Sequence, residues 1–137
     1  MIRELKNTDI EYLTKLLLNY DKNIENHFNF SNYLTNDIYS QYVYLINDKI
    51  VGYILITIID DLVEVHLLYV DSLFRNQRIG TRLIEYLINK YSNYKFLLEV
   101  ASNNYIAIKL YKTMNFKIIN IRKKYYNDID AYVMERN

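Results

Sequence analysis

The stretch VEVHLLYVDSLFRNQRIGTRLIEYL, residues 63–87, decides how this chain folds. It begins with an apolar run that includes β-branched residues, continues through a polar loop, and ends in an apolar repeat of helical period. These patterns predict a strand at 62–70, a loop at 73–77 and a helix at 79–91. Such a strand–loop–helix unit indicates a sheet with a helix packed on it.

The start of this predicted helix is a candidate anion site. The first backbone N–H groups of a helix have no intrahelical partners, and they lie at the positive end of the helix dipole, which suits a pyrophosphate. Arg75, Arg78 and Arg82 add positive charge. Because the chain has only two glycines, Gly52 and Gly80, we expect each where a side chain would be costly, with Gly80 letting the backbone approach a phosphate closely. The alternative is an ordinary connection with a solvated arginine cluster.

Composition excludes several classes of protein. The 137 residues fit a single domain, 1–137, and 51% hydrophobic with 24% charged residues are typical of a folded chain rather than a disordered or membrane-spanning one. Lys and Arg number 17 against 16 Asp and Glu, a smaller excess than nucleic-acid binders usually carry. With no Cys and two His, we expect no metal site. Charges near the N-terminus interrupt any signal-peptide pattern, so a cytoplasmic protein that binds no membrane is expected.

The remaining segments alternate between strand and helix patterns. Asn47 and Asp48 separate two strand-like runs as a tight hairpin turn would. Thr8, with Glu11 three residues on, forms a predicted capping box, and Asn115 stands where a left-handed helix end is expected. The predicted order is β-α-α-β-β-β-α-β-α-β-β, a mixed α/β sheet covered by helices. The other predicted elements are strands at 1–5, 43–46, 49–59, 96–100, 116–121 and 131–134, and helices beginning at Thr8, Ser31 and after 102–104.

Motifs over residues 62–134 resemble one enzyme superfamily. They are Arg75 to Gly80 at the helix start, LEV at 98–100, SNN at 102–104, Ala107, Leu110, Tyr111, Phe116, and the tail with Tyr125, Tyr126, Asp130, Ala131 and Met134. This pattern resembles the GNAT superfamily of acetyl-CoA-dependent N-acetyltransferases, and within it the RimI-type acetyltransferases of ribosomal proteins and of protein N-termini. Arg78 stands where the superfamily usually has glycine. Ala101, Asn103 and Asn115 also depart from the RimI pattern.

The resemblance implies a GNAT fold whose fourth and fifth strands splay apart and hold acetyl-CoA. The pantetheine arm would lie in the gap, and the pyrophosphate would lie on the loop and helix start. Asn104 matches the superfamily's cofactor-binding asparagine. The implied cofactor residues are Leu68, Tyr69, Val70, Arg75, Asn76, Gln77, Arg78, Ile79, Gly80, Thr81, Asn104 and Tyr111.

The resemblance also implies catalytic roles. Glu99 matches the RimI base, and it interrupts an apolar strand. The alternative is a strand-edge carboxylate that lies in solvent or pairs with Lys95 or an arginine. Glu64, on the fourth strand, is a second candidate base acting through water. His66 shares its face by alternation and is interpreted as a structural histidine. Tyr111 is the candidate acid that protonates the departing thiolate, although its place on an apolar helix face also fits core packing.

The acceptor is expected to be a protein or peptide N-terminus. By the resemblance, Tyr125 and Tyr126 would bind the peptide backbone, while Phe28 and Phe30 would flank the amine-entry mouth. Two rival functions stay open, namely a small-molecule amine acetyltransferase for polyamines, amino acids or antibiotics, and a non-catalytic CoA-binding module on the same fold. A monomer and a homodimer are equally compatible with the sequence.

Overall fold

The computed structural model describes residues 1–126 and 128–137, apart from the side chain of Tyr126. Its strands and helices alternate in the predicted order, except that the second predicted helix is two single turns. In chain order the elements are β1 (Ile2–Glu4), α1 (Ile10–Tyr20), α2 (Ile24–His27), α3 (Phe30–Tyr33), β2 (Tyr39–Ile46), β3 (Lys49–Ile59), β4 (Leu62–Val70), α4 (Ile79–Lys90), β5 (Lys95–Ala101), α5 (Tyr105–Thr113), β6 (Lys117–Tyr126) and β7 (Ile129–Arg136).

One seven-stranded sheet with the order β1-β2-β3-β4-β5-β7-β6 organises the molecule. The β4–β5 pair is parallel, and the other pairs are antiparallel. The predicted mixed α/β fold is therefore confirmed. None of the helices in the described part of the chain is long and apolar enough to cross a membrane.

The helices bury both faces of this sheet. Helices α4 and α5 cover one face, where Leu83 and Ile84 of α4 are fully buried. Helices α1 to α3 cover the β1–β4 part of the other face, with Leu13 and Leu17 of α1 at its centre. Each of these leucines contributes about 1.5–3 kcal/mol by burial. Strand β4 lies in the middle of the sheet and contributes side chains to the apolar cores on both faces.

Two turn predictions are confirmed by backbone angles. Asn47 and Asp48 have φ of 50° and 64°, the left-handed pair that a two-residue hairpin between β2 and β3 requires. Asn115 follows α5 with φ of 70°, which is the left-handed helix end expected there. In each case a short polar side chain tolerates a conformation that other residues avoid.

The start of α1 differs from its prediction. A 3₁₀ turn over Asn7–Asp9 precedes the helix, and the Asp9 carboxylate, rather than Thr8 with Glu11, reaches back to the chain. It accepts hydrogen bonds from the Lys6 backbone N at 2.8 Å and from both terminal nitrogens of Arg3 at 2.7 and 3.1 Å. The Arg3 hydrogen bond is the main reason that the pKa of Asp9 lies below its usual value. The 3₁₀ turn that precedes α1 is therefore tied to Arg3 of β1, six residues earlier in the chain.

Candidate active site

The central strands of the sheet diverge part of the way along their length. Pairing between β4 and β5 begins at Leu62 with Lys95 and ends at Val65 with Leu98. Beyond that point β4 continues beside β3, and β5 continues beside β7. The splay implied by the resemblance is present, and it opens a gap between the second halves of β4 and β5.

One edge of this gap carries backbone groups of β4 that pair with no neighbouring strand. Asp71 N donates to Val51 O at 2.8 Å, so the polar backbone groups of Asp71 face β3. Because successive residues of a strand face opposite edges, those of Tyr69 also face β3, and those of Leu68 and Val70 face the gap. Among the three β4 residues predicted to bond a cofactor arm, Leu68 and Val70 can offer their backbone. Tyr69 instead contributes a buried ring on the α1 side.

A β-bulge in β4 sets which side chains line each face of the gap. The register with β3 changes from Ile56 opposite Val65 to Leu55 opposite Leu67, which leaves His66 as the extra residue. Before the bulge Val63 and Val65 face α4 and α5, and after it Leu68 and Val70 do so. Without the extra residue, strict alternation from Val65 would turn Leu68 and Val70 away from that core.

Helix α4 begins at the end of the gap without a side-chain cap. Its N-cap residue is Arg78, in the left-handed conformation with φ of 63° and ψ of 22°. The arginine side chain has no hydrogen-bond acceptor. It therefore cannot bond the backbone N–H groups of Ile79, Gly80 and Thr81, which lack intrahelical acceptors by geometry. Asn76 is also left-handed, with φ of 66°. The chain therefore turns sharply to present the first amides of α4.

The arginines of this region have different partners. Arg75 Nε donates to Val70 O at 3.4 Å, and Arg78 lies 3.7 Å from Glu85 in an exposed ion pair. Arg82 Nη1 donates to the hydroxyl of Tyr44 at 2.9 Å. Arg75 and Arg78 are exposed beside the start of α4, together with Asn76 and Gln77. Their charge adds to the positive potential there.

The two glycines play different parts. A Cβ on Gly52 would lie 2.9 Å from Ile79 Cγ2, so this glycine is what allows the start of α4 to pack against β3. A Cβ on Gly80 would meet Leu68, Val70 and Leu110 at 3.7–3.8 Å, which is ordinary contact. The expectation that a side chain would be costly is confirmed for Gly52. At Gly80 the protein itself leaves room for a methyl group, between β4 and α5.

Tyr111 and Asn104 lie on α5, on the same face of the sheet as α4. The Tyr111 side chain is 7% exposed, and its ring centroid is 5.7 Å from that of Phe116. The Asn104 side chain accepts a hydrogen bond from Ala107 N at 3.2 Å and so caps α5. Both residues therefore have a structural role as well as the role implied by resemblance.

Glu99 lies on the opposite face, because its neighbours Leu98 and Val100 point into the α4 core. Its carboxylate forms an ion pair with Arg122 Nη1 at 3.0 Å, and its side chain is 23% exposed. The Arg122 guanidinium also lies 5.4 Å from the ring centroid of Tyr125. An arginine partner was one of the alternatives considered from the sequence, and β6 supplies it; Lys95 pairs with Glu135 instead.

Glu64 and His66 lie on that same opposite face, around Thr57 of β3. Glu64 is directly across from Thr57 in the β3–β4 register, and His66 Nε2 is 2.7 Å from Thr57 Oγ1. The Tyr39 ring lies beside the imidazole, with 6.4 Å between centroids. Desolvation lowers the pKa of His66, and the Glu64 carboxylate opposes this shift.

The predicted acceptor mouth is only partly open. Phe30 is buried with its ring edge-on to Tyr53 at 5.5 Å, and its carbonyl accepts from Gln41 Nε2 at 3.2 Å, so it belongs to the core. Phe28 is half-buried and stacks on Phe30 at 6.1 Å, beside a pocket of about 240 Å³. Tyr125 is exposed, while the side chain of Tyr126 lies outside the described residues.

The side chains on the two sides of the gap therefore carry different functional groups. A phenol lies on the α5 side, and two carboxylates and an imidazole lie on the other side. No sequence motif indicated the bulge at His66 or the hydroxyl of Thr57 beside it. No group of three or more acidic or histidine side chains that could hold a metal ion occurs in the part of the chain that the structure describes. A surface pocket of about 660 Å³ lies at the other end of β4 and β5 and contains none of the predicted site residues.

Comparisons with known proteins agree with this geometry. A family model described as "Acetyltransferase (GNAT) family" matches residues 4–116. The chain is 34% identical over 76 residues to the N-alpha-acetyltransferase RimI of Mycobacterium tuberculosis, a match that covers 54% of this chain and 48% of that protein. It is 41% identical over 68 residues to an N-alpha-acetyltransferase of Saccharolobus solfataricus, with 46% and 41% covered. The matched segments span less than half the length of these curated relatives.

Solved structures match over almost the whole chain. A GNAT family acetyltransferase from Elizabethkingia anophelis with acetyl-CoA bound superposes with a TM-score of 0.80 and 25% identity, covering 100% of this chain and 97% of that one. The ribosomal-protein-S18-alanine N-acetyltransferase of Escherichia coli gives a TM-score of 0.83 at 23% identity, with 98% and 91% covered. The second similarity shows that the two chains share a fold.

Proposed function

The chain belongs to the acetyltransferase (GNAT) family, and we propose that it transfers the acetyl group of acetyl-CoA to the α-amine of a protein or peptide N-terminus. We also propose that residues 1–137 form one N-acetyltransferase domain. The observation that carries the proposal is the gap between β4 and β5, which ends at the uncapped first turn of α4. The solved relative from Elizabethkingia anophelis holds acetyl-CoA.

In this proposal the gap binds the coenzyme along its length. The open backbone edge at Leu68 and Val70 bonds the amides of the pantetheine arm in the way that an added strand would. The pyrophosphate binds the first amides of α4 at Ile79, Gly80 and Thr81. Asn104 keeps two amide hydrogens for the coenzyme while its oxygen caps α5. The exposed loop residues that would flank the phosphates are Arg75, Asn76, Gln77 and Arg78.

The reaction proceeds by direct attack of a neutral amine on the thioester. Deprotonating an α-amine at pH 7 costs about 1 kcal/mol, against about 4–5 kcal/mol for a lysine side chain. A modest base is therefore sufficient for an N-terminus, and Glu99 and Glu64 are the carboxylates on the acceptor face. A backbone N–H on the open edge of β4 stabilises the oxyanion. Tyr111, on the α5 side, protonates the departing thiolate.

The proposed acceptor class, a protein or peptide N-terminus, is supported by the curated relatives. Two curated relatives that this chain matches are N-alpha-acetyltransferases. An N-terminal peptide would enter on the face that carries Glu99, between the α2–α3 segment with Phe28 and the β6 segment with Tyr125 and Tyr126. Acetyl transfer to polyamines or antibiotics uses the same coenzyme half, so the acceptor assay must separate these cases.

A panel of acceptors tests the proposal. The purified chain with acetyl-CoA is expected to release CoA thiol and to acetylate short peptides at the N-terminus, faster than it acetylates spermidine, free amino acids or an aminoglycoside. Preference for a small amine would overturn the acceptor class, and acetyl-CoA binding without turnover on any amine would overturn the enzyme itself.

The roles of the carboxylates need a matched control. E99Q lowers kcat for the peptide by as much as about 10²-fold only if Glu99 itself takes the amine proton. E135Q is the control, because Glu135 is a carboxylate of similar exposure, 21%, that also lies in an ion pair with a basic residue. Equal rates for E99Q and E135Q would remove Glu99 from the mechanism.

A further inference from the structure

The bulged residue of β4 stands where the gap opens. Val65 is the last residue of β4 that pairs with β5, and His66 follows it directly. On β5 the corresponding first unpaired position toward β4 is Glu99. β-Bulges often re-aim a side chain beside an active site. His66 is therefore the first β4 side chain at the mouth of the gap, on the face opposite α4 and α5.

Thr57 and Tyr39 fix the orientation of the imidazole. The 2.7 Å contact between His66 Nε2 and Thr57 Oγ1 holds one ring nitrogen toward β3. The Tyr39 ring packs beside the imidazole and is itself stacked on Tyr33, with 4.2 Å between their centroids. Among the described residues, the other ring nitrogen, Nδ1, has no hydrogen-bond partner. The ring is held by one nitrogen and leaves the other for a ligand.

The titratable and charged groups on this face come from four strands, β2, β4, β5 and β6. Glu64 on β4 is the carboxylate that acts on the imidazole, and Tyr39 on β2 is the titratable neighbour across the ring. Glu99 on β5 faces the same side, and its charge is offset by Arg122 at 3.0 Å. Desolvation lowers the pKa of His66 despite Glu64, which favours the neutral ring that can accept a proton.

We propose that His66 is the residue that removes the proton from the acceptor amine, with Thr57 as its positioning residue. The inference rests on the proposed function and names the proton acceptor of that same site. It departs from the interpretation of His66 as a structural histidine. Glu99 would then hold Arg122 beside the acceptor, because its carboxylate is already in an ion pair.

The proton balance of the step is complete. The amine nitrogen attacks the thioester carbon, forming the C–N bond, and its extra proton passes to Nδ1 of His66. The C–S bond then breaks, and the thiolate takes a proton from the Tyr111 phenol. The imidazolium releases its proton to solvent, and solvent reprotonates the phenolate, so the products are the N-acetylated amine and CoA thiol.

The test compares the two histidines of the chain across pH. H66Q is expected to lower kcat/KM for an N-terminal peptide about 10²-fold at pH 7 and to remove the His66 ionisation from the acid limb of its pH profile, leaving only that of the acceptor amine. H27Q is the control, because His27 lies exposed on α2, and it should leave the profile unchanged. Acetyl-CoA affinity by calorimetry should match the wild type in both variants.

A second pair of variants guards against a folding defect. T57V removes the hydroxyl that orients the ring, and it should lower kcat about tenfold and move the acid limb. T57S, which keeps the hydroxyl, should restore both. NMR titration of the ring Cε1–H signals, assigned with H27Q and H66Q, should give His66 a pKa below the ordinary value of about 6.5.

The outcomes separate the inference from the function on which it rests. A wild-type enzyme that acetylates the peptide while H66Q keeps its rate and its pH profile would overturn the role of His66 alone. A His66 signal that titrates above the ordinary value would also overturn it. A wild-type protein that acetylates no amine would overturn the proposed function and, with it, this role.

Discussion

Replacing Arg78 with glycine should stabilise the protein, although it removes a charge and an ion pair. Arg78 holds φ of 63° at the start of α4, and a left-handed conformation costs a residue with a Cβ about 1–2 kcal/mol. Glycine avoids that cost but adds freedom to the unfolded chain, worth about 0.4–1 kcal/mol. The exposed pair with Glu85, at 3.7 Å, contributes about 0–0.5 kcal/mol.

The magnitude is best measured against alanine. R78A loses the same charge and ion pair as R78G but keeps the left-handed strain, so R78G is expected to be about 0.5–1 kcal/mol more stable than R78A. For a chain of this size that is a difference in Tm of about 2–5 °C. Thermal and urea unfolding measure it, and R78K, which keeps the charge and the strain, should unfold with the wild type.

The same variants report on the coenzyme loop. If the backbone at Arg78 already has the shape that glycine would allow, R78G and R78A should bind acetyl-CoA with equal affinity, both somewhat weaker than the wild type. An R78G protein that unfolds at a lower temperature than R78A would refute the argument from backbone strain.

Three further changes test other parts of the structure. G80A should fold as stably as the wild type, because its methyl group meets only ordinary contacts at 3.7–3.8 Å, but it should bind acetyl-CoA more weakly. G52A should lower the free energy of unfolding by about 1–3 kcal/mol, because its Cβ would lie 2.9 Å from Ile79. D9N should cost about 1.5–3 kcal/mol at pH 7 by urea unfolding; since the pKa of Asp9 is lowered, the gap between wild type and D9N should close as the pH falls through that pKa. Y111F should lower kcat far more than acetyl-CoA affinity, and unchanged turnover would exclude the phenol as the acid.

Sequence patterns correctly predicted the elements whose conformation depends on residues close together in the chain. The strand at 62–70 and the hairpin turn at Asn47 and Asp48 are found as expected, because alternation and left-handed turn residues act over a few neighbours. The predicted cap of α1 was wrong, because the Asp9 carboxylate binds the backbone N of Lys6 and the Arg3 side chain, in place of a capping box of Thr8 with Glu11. The motif for a helix start does not include a contact with a strand residue such as Arg3.

The sequence predicted which elements form the site, but it did not predict the contacts between their side chains. The helix start at Ile79 follows from the strand–loop–helix pattern. The bulge at His66 arises from the register between β3 and β4, and the ion pair of Glu99 with Arg122 depends on β7 lying between β5 and β6. The Phe30 side chain is buried because Gln41 and Tyr53 enclose it, whereas the Phe28 side chain is only half-buried. These contacts join residues that are separated along the chain, and local patterns in a single sequence do not predict them.

Calorimetric titration of the full chain with acetyl-CoA tests the central claim most directly. The account predicts saturable binding at one site per chain, competed by CoA and accompanied by a rise in Tm, because the gap between β4 and β5 and the first amides of α4 are already formed. A titration without heat at two temperatures, together with an unchanged Tm at saturating acetyl-CoA, would contradict it.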